Sequence, residues 1–376
     1  TTEMQEYTPE MDQLLFYLPL AGSAFKKVYF DPSKQRAVST FVPTEDLVVP
    51  YTASDLETCE RITHVVKMSY NEIRSHQLAG FYRDIELKAS DPTNTDVADK
   101  VDELEGVRQG NVEMMYELLE FHVSMDVPGF EDPDGYHLPF IITVDRTSSQ
   151  ILSIRRNYRE GDPLKNKVQY FVHYKFLPGL GFYGFGLIHM IGGLSRTATG
   201  ALRQLIDAGT LSNLPAGFKA RGLRIRDDET PLEPGEFRDV DAPGGALRDS
   251  LIPLPYKEPS ATLMQLLGFC VEAGQRFASI TNMNVGEGNQ EMPVGTTMAL
   301  LEQGTRVMSA VHKRLHYAQK LEFQILARLF AEYLPPEYPY QVVGGDQAIK
   351  QSDFDDRVDV IPVSDPNFFS MSQRIT

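Results

Sequence analysis

Cysteine is almost absent: Cys59 and Cys270 are the two in 376 residues, and they stand far apart. That count supports neither a thiolate zinc site nor a disulfide framework, and a reducing cytosol is the simplest setting. Positive charge is also scarce. Lysine and arginine total 36 against 52 acidic residues, a formal charge of −16. Tight sequence-independent DNA binders draw affinity from counterions released by basic side chains. An acidic chain repels DNA at long range, which argues against a repressor or nuclease clamp. The same property suits a passage through which DNA slides without sticking.

The signatures of common chemistries are missing too. No glycine loop is followed by a Walker lysine. His312 and His316 stand four apart, but Lys313 occupies the position where a zincin hydrolase needs glutamate. Residues 131–135 (EDPDG) are acidic without the ligand spacing of a calcium loop. Ser195 follows Gly193-Leu194, but Arg196-Thr197 breaks the nucleophile-elbow pattern. Gly179, Gly181 and Gly184 spell GxGxxG after a strand, yet no βαβ alternation surrounds them. They are read as a glycine-rich turn. No catalytic residue, metal or cofactor is therefore expected.

Residues 176–194 (FLPGLGFYGFGLIHMIGGL) carry no formal charge, close to the length of a membrane span. Pro178 and six glycines make a lone helix there poor, so a buried turn leading into a helix is expected, and no membrane contact. The composition, 42% hydrophobic and 23% charged, is that of a folded protein, and the length suggests two or three structural units. The chain opens on Thr1 and stops at Thr376 within an expected element, and it is read as an ordered portion of a longer product.

Periodicity supplies the elements. Residues 1–90 read as mixed helix and loop, with an apolar segment at 11–20 and a helix over 55–77. An acidic run (Asp96, Asp99, Asp102, Glu103, Glu105) is read as a solvated face, and a helix is expected over 111–121. The period then changes to two. Residues 137–145 and 150–155 around Thr147-Ser148-Ser149 predict a β-hairpin, and the apolar 167–176 predicts a central strand. A helix over 194–208 carries a narrow seam, Leu194, Ala198, Ala201, Leu205 and Ala208. Residues 211–256, rich in proline, glycine and charge, predict a β/turn insertion.

Ser260 caps a second helix whose face is Leu263, Leu266, Leu267, Cys270 and Phe277. Two helices bracketing an insertion should pack side by side. A polar, glycine-rich loop over 281–296 precedes the longest helix, 297–333, ended by Pro335-Pro336. A strand over 359–364 and a helix start at Ser370 close the chain.

This order, and the phrasing of residues 175–210, 217–219, 234–237 and 359–375, resembles portal (head-to-tail connector) proteins of tailed double-stranded DNA bacteriophages. The resemblance implies an α+β fold with wing, helical stem, β-rich clip and the start of a helical crown. Residues 1–193 would be the first part of the wing, 194–210 and 257–280 the stem helices, and 211–256 the clip. Residues 281–296 would be the tunnel loop, 297–369 the long wing helix with the rest of the wing, and 370–376 the start of the crown.

It further implies a ring, typically of twelve subunits, at one capsid vertex in the virion, assembled in the host cytoplasm. Genome DNA would pass through it during packaging and ejection. The terminase large subunit and tail adaptor would dock on it, with major capsid and scaffolding proteins around it. Asn282, Asn284, Asn289 and Gln290 would offer polar, uncharged contacts to DNA, and Lys219, Arg221, Arg224 and Arg226 would meet the motor or adaptor. Two other readings are a tail-adaptor or scaffold ring, and a nucleotide-binding enzyme resting on Gly179, Gly181 and Gly184.

Overall fold

A computed structural model describes residues 4–32, 34–87, 115–133, 135–213, 217–219, 224–225, 240–241, 251–253, 258–277, 294–342, 345–354 and 362. The expected acidic face near 96–105, the strand over 359–364 apart from Pro362, and the helix start at Ser370 lie outside the described residues. The fold mixes helix and sheet and falls into two compact units, residues 189–292 and the remainder. No helix among the described residues is long and apolar enough to cross a membrane.

The larger unit is built on one strand. Helix α1 (Tyr7–Ala21) stops at Gly22, whose φ of 85° is the left-handed conformation that glycine adopts without strain. Strand β1 (Ser23–Asp31) follows and pairs antiparallel with β2 (Arg36–Val42) on one side and β8 (Phe171–Lys175) on the other. The second sheet is an antiparallel meander of β3 (Leu47–Val48), β4 (Arg61–Met68), β5 (Tyr116–Met125), β6 (Leu138–Asp145) and β7 (Ile151–Arg156). Helix α2 (Tyr70–Leu78) starts at a capping box in which Ser69 and Glu72 satisfy each other's backbone N–H.

Side chains alternate across a strand, so β1 serves two cores. Ala24 and Val28 join Leu14 and Leu18 of α1, Val172 and Tyr174 of β8, and Ala318 and Leu326 of the long helix at Val294–Tyr333. Phe25 points the other way, to Leu47, Leu56, Ile62, Phe171 and Phe182.

The two lysines of β1 follow the same alternation. Lys26 lies fully buried 3.1 Å from Glu322 of the long helix. The Ser39 hydroxyl donates to the same carboxylate oxygen at 2.6 Å, and the Tyr174 hydroxyl donates to the other. Lys26 also sits 4.2 Å over the Tyr7 ring, whose phenol is pushed up to about 12 by burial and by Glu322. The ammonium and both carboxylate oxygens there have partners, the condition under which a buried ion pair is tolerated.

Lys27, on the opposite face, reaches both oxygens of Glu120 on β5 at 2.7 and 2.9 Å, and His122 meets Glu120 at 2.7 Å. Burial alone would raise the Glu120 carboxyl, but Lys27 and His122 outweigh it and hold it well below the carboxylate range. Burial, then Lys27, pushes His64 down to about 3, and burial lowers His122.

Several expectations need correcting. The helix expected over 55–77 is β4 followed by α2: Ile62, Thr63, Val65 and Val66 are β-branched, and pairing with β5 decides their conformation. The helix expected over 111–121 is β5 from Tyr116 onward, fixed by strands on both sides. Strand β8 stands at a sheet edge rather than its centre; layers above and below, not flanking strands, bury it. The β1–β2 hairpin and the hairpin β13 (Glu337–Val342)–β14 (Gly345–Lys350) lie where no strand was expected. The hairpin β6–β7 stands as expected.

Glu322→Ala should cost about 3–5 kcal/mol in urea unfolding, because it strands the Lys26 ammonium in the core. Lys26→Met combined with Glu322→Leu should recover most of that loss; a double variant as weak as the single would contradict the account.

Acid sensitivity follows from the other face. Glu120 and His64 both have folded pKa values below their unfolded ones, so their stabilisation is complete above about pH 6.5 and lost on acidification. The histidine contribution fades first, from about 6.5 toward 3, and the carboxylate contribution follows below about 4.3. Urea midpoints measured from pH 7.5 to 4 should fall steadily, and His64→Asn should flatten the upper part of that fall.

Candidate functional site: an exposed helical hairpin

The smaller unit contains two long helices, α3 (Leu187–Asn213) and α4 (Ala261–Phe277). The glycine-rich segment thus becomes helical earlier than expected, at Leu187, with Gly192 and Gly193 inside the helix. A Cβ placed on Gly274 would meet Ile191 at 3.4 Å, and one on Gly209 would meet Pro259 at 3.9 Å. Early α3 therefore lies against late α4, and late α3 against the start of α4. The pair is antiparallel and side by side, and the long final helix at 294–333 (α5) belongs to the other unit.

The seam of α3 is the expected one. Leu194, Ala198, Leu205 and Ala208 are partly buried, and Ala201 is buried. On α4, Leu263 and Leu267 are partly buried and Cys270 is buried, but Leu266 is exposed and does not join them. At 100° per residue Leu266 stands off the seam, on a flank.

Outside that seam the hairpin remains apolar. Phe269 is 68% exposed and Met264 63%, and Leu202, Ile206, Leu211, Leu266 and Val271 are exposed as well. Helical geometry sorts these into two groups. Leu202 and Ile206 fall on the same side of the hairpin as Met264 and Val271. Leu211, Leu266 and Phe269 fall on the opposite side. Thr199 turns its hydroxyl back to the Ser195 carbonyl at 2.9 Å.

The remaining outer edges are polar. Arg196, Arg203 and Asp207 line the edge of α3, and Gln265, Glu272 and Arg276 that of α4. Glu272 and Arg276 pair at 2.5 Å in solvent, a contact of little energetic weight. A two-helix element with two unlike apolar faces and two polar edges has no internal partner for either face among the described residues.

The residues singled out from sequence are only partly in view. Asn282, Asn284, Asn289, Gln290, Arg221 and Arg226 lie outside the described residues. Lys219 belongs to β9 (Gly217–Lys219), paired with β12 (Leu251–Pro253), and Arg224 to β10 (Arg224–Ile225), paired with β11 (Val240–Asp241). These short antiparallel pairs fit the expected β/turn insertion. Sequence reasoning missed the two apolar faces, although apolar residues off the seam were the available signal.

In the larger unit, two of the three GxGxxG glycines, Gly179 and Gly184, serve backbone packing. A Cβ on Gly179 would fall 2.2 Å from the Tyr183 carbonyl oxygen, and one on Gly184 would fall 2.5 Å from that of Gly22. Gly184 also donates its N–H to the Ser23 hydroxyl at 2.7 Å, and Ser23 meets His173 Nε2 at 3.0 Å. Burial, then Lys175, holds His173 neutral down to about 3, against the rings of Phe25 and Phe182. This Ser–His pair fastens a turn; Ser23 is fully buried and cannot meet a substrate.

Ser195 sits within α3 rather than on an elbow, and Asp132 of the acidic stretch pairs with Lys165. His312 and His316 approach to 3.1 Å on adjacent turns of α5. No group of three or more possible metal ligands occurs among the described residues. Neither a scan against protein-family models nor a search of curated proteins finds a match to this chain.

Gly184→Ala should destabilise the protein by about 3 kcal/mol, near the upper range for overpacking, since rigid backbone blocks the methyl. Gly181→Ala, which meets nothing within 4 Å, should be close to neutral in the same thermal or urea unfolding assay.

Proposed function

We propose that this chain is the portal protein of a tailed double-stranded DNA bacteriophage, a structural ring subunit that performs no covalent chemistry. The observation that carries the reading is the exposed hairpin with two unlike apolar faces. A face of that kind on a soluble chain marks a binding surface. Two different faces on opposite sides of one element suit head-to-tail contact between copies, which closes into a ring when the rotation allows.

On this reading the hairpins stand side by side as the stem, and one polar edge of each faces the channel. The net charge of −16, repeated around the ring, keeps phosphates from sticking to the wall. The insertion between α3 and α4, with Lys219, Arg221, Arg224 and Arg226, is the docking point for terminase and then for the tail adaptor. Asn282, Asn284, Asn289 and Gln290 touch the passing DNA. The ring sits at a unique capsid vertex, among major capsid and scaffolding proteins.

Blocking one face at a time tests this. Phe269→Glu disables one face and Met264→Glu with Val271→Glu the other, so each variant alone should sediment as a monomer. Mixed, they should form a 1:1 dimer that grows no further, while the unaltered chain gives rings with a central hole by negative-stain imaging. An unaltered chain that remains monomeric at high concentration, or a ring without a hole, would remove the proposal.

A further inference from the structure

The histidine pair on α5 takes no part in the ring reading, and its geometry suits a different task. Nε2 of His312 and Nε2 of His316 are 3.1 Å apart, with ring centroids 4.3 Å apart and planes at 66°. Two imidazole nitrogens hold that separation when they share one proton, or when they bind one metal. Imidazole ligates metals at about 2.0–2.1 Å, so an ion bound to both nitrogens would subtend roughly 95–102°. That angle lies between the 90° of tetragonal or octahedral coordination and the tetrahedral value, so one ion of either geometry can span the pair.

We propose that His312 and His316 form a two-point chelate for a tetragonal divalent ion, Cu2+ or Ni2+, with water completing its coordination. The i, i+4 spacing on a continuous helix holds both rings on one face without a loop having to order. Both residues are partly exposed, so an ion and its waters can reach them. Neighbouring cations set a limit on affinity: Lys313 and Lys320 lie within a turn, while Arg314 is directed to the Phe176 carbonyl at 3.1 Å. Two neutral ligands among such charges favour the ion with the highest intrinsic affinity for nitrogen, which is Cu2+.

Calorimetric titration of the full chain in chelator-treated buffer tests the site, using Cu2+, Ni2+ and Zn2+ in turn. One Cu2+ per chain should bind saturably, and more tightly than Zn2+. His312→Ala and His316→Ala should each weaken that binding at least tenfold, and His137→Ala and His189→Ala should leave it unchanged. Electron paramagnetic resonance of the 1:1 Cu2+ complex of the unaltered chain should report two equivalent nitrogens, a readout that needs no variant to fold. Absence of saturable binding, equal binding by the His312→Ala/His316→Ala double variant, preference for Zn2+, or a signal from one nitrogen would each overturn the assignment.

Discussion

Two consecutive lysines on one strand hold the larger unit together. Because neighbouring residues of a strand face opposite ways, Lys26 and Lys27 send one ammonium into each of the cores that β1 separates. Glu322 on a helix answers the first and Glu120 on the second sheet answers the second. Lys26 is fully buried, so it cannot shed its partner for water, and each covering layer has one acceptable register against β1. Apolar packing would tolerate small slips of α5; an ammonium needing a carboxylate at 3.1 Å does not.

The glycine-rich turn adds a second fixed point next to the first. Gly22 ends α1 and β1 begins one residue later, so the backbone contact of Gly22 with Gly184 and Gly186 ties the turn to the root of the central strand. Ser23 and His173 fasten the same place with hydrogen bonds. Gly179 and Gly184, two of the three glycines that spell a nucleotide motif, are thus consumed in making stretches of backbone touch.

The smaller unit has the opposite character. Its hairpin buries a narrow seam of alanine and leucine and leaves seven large apolar side chains of that unit exposed. A unit so built gains little from folding alone, because burial of apolar area is the main favourable term. On the proposed reading, contact between copies would supply the missing burial. The larger unit, by contrast, holds paired internal charges and three apolar clusters among the described residues.

Where local pattern and final conformation agree, the sequence was readable. The hairpin β6–β7, the seam of α3, the start of α4 and the end of α5 are each set by periodicity, a turn or a terminating residue within a dozen positions. Ile62–Val66 and Tyr116–Val123 could satisfy either period, and strands distant in sequence chose for them. Composition and spacing alone also determined the acidic charge and the lack of a thiolate zinc site or Walker lysine. Only the tertiary structure decided that Lys26 and Lys27 are core residues, that Gly184 rests on Gly22, and that His312 and His316 face each other at 3.1 Å. The reason is common to all three. Each depends on the position of atoms whose separation in space no local rule of the chain fixes.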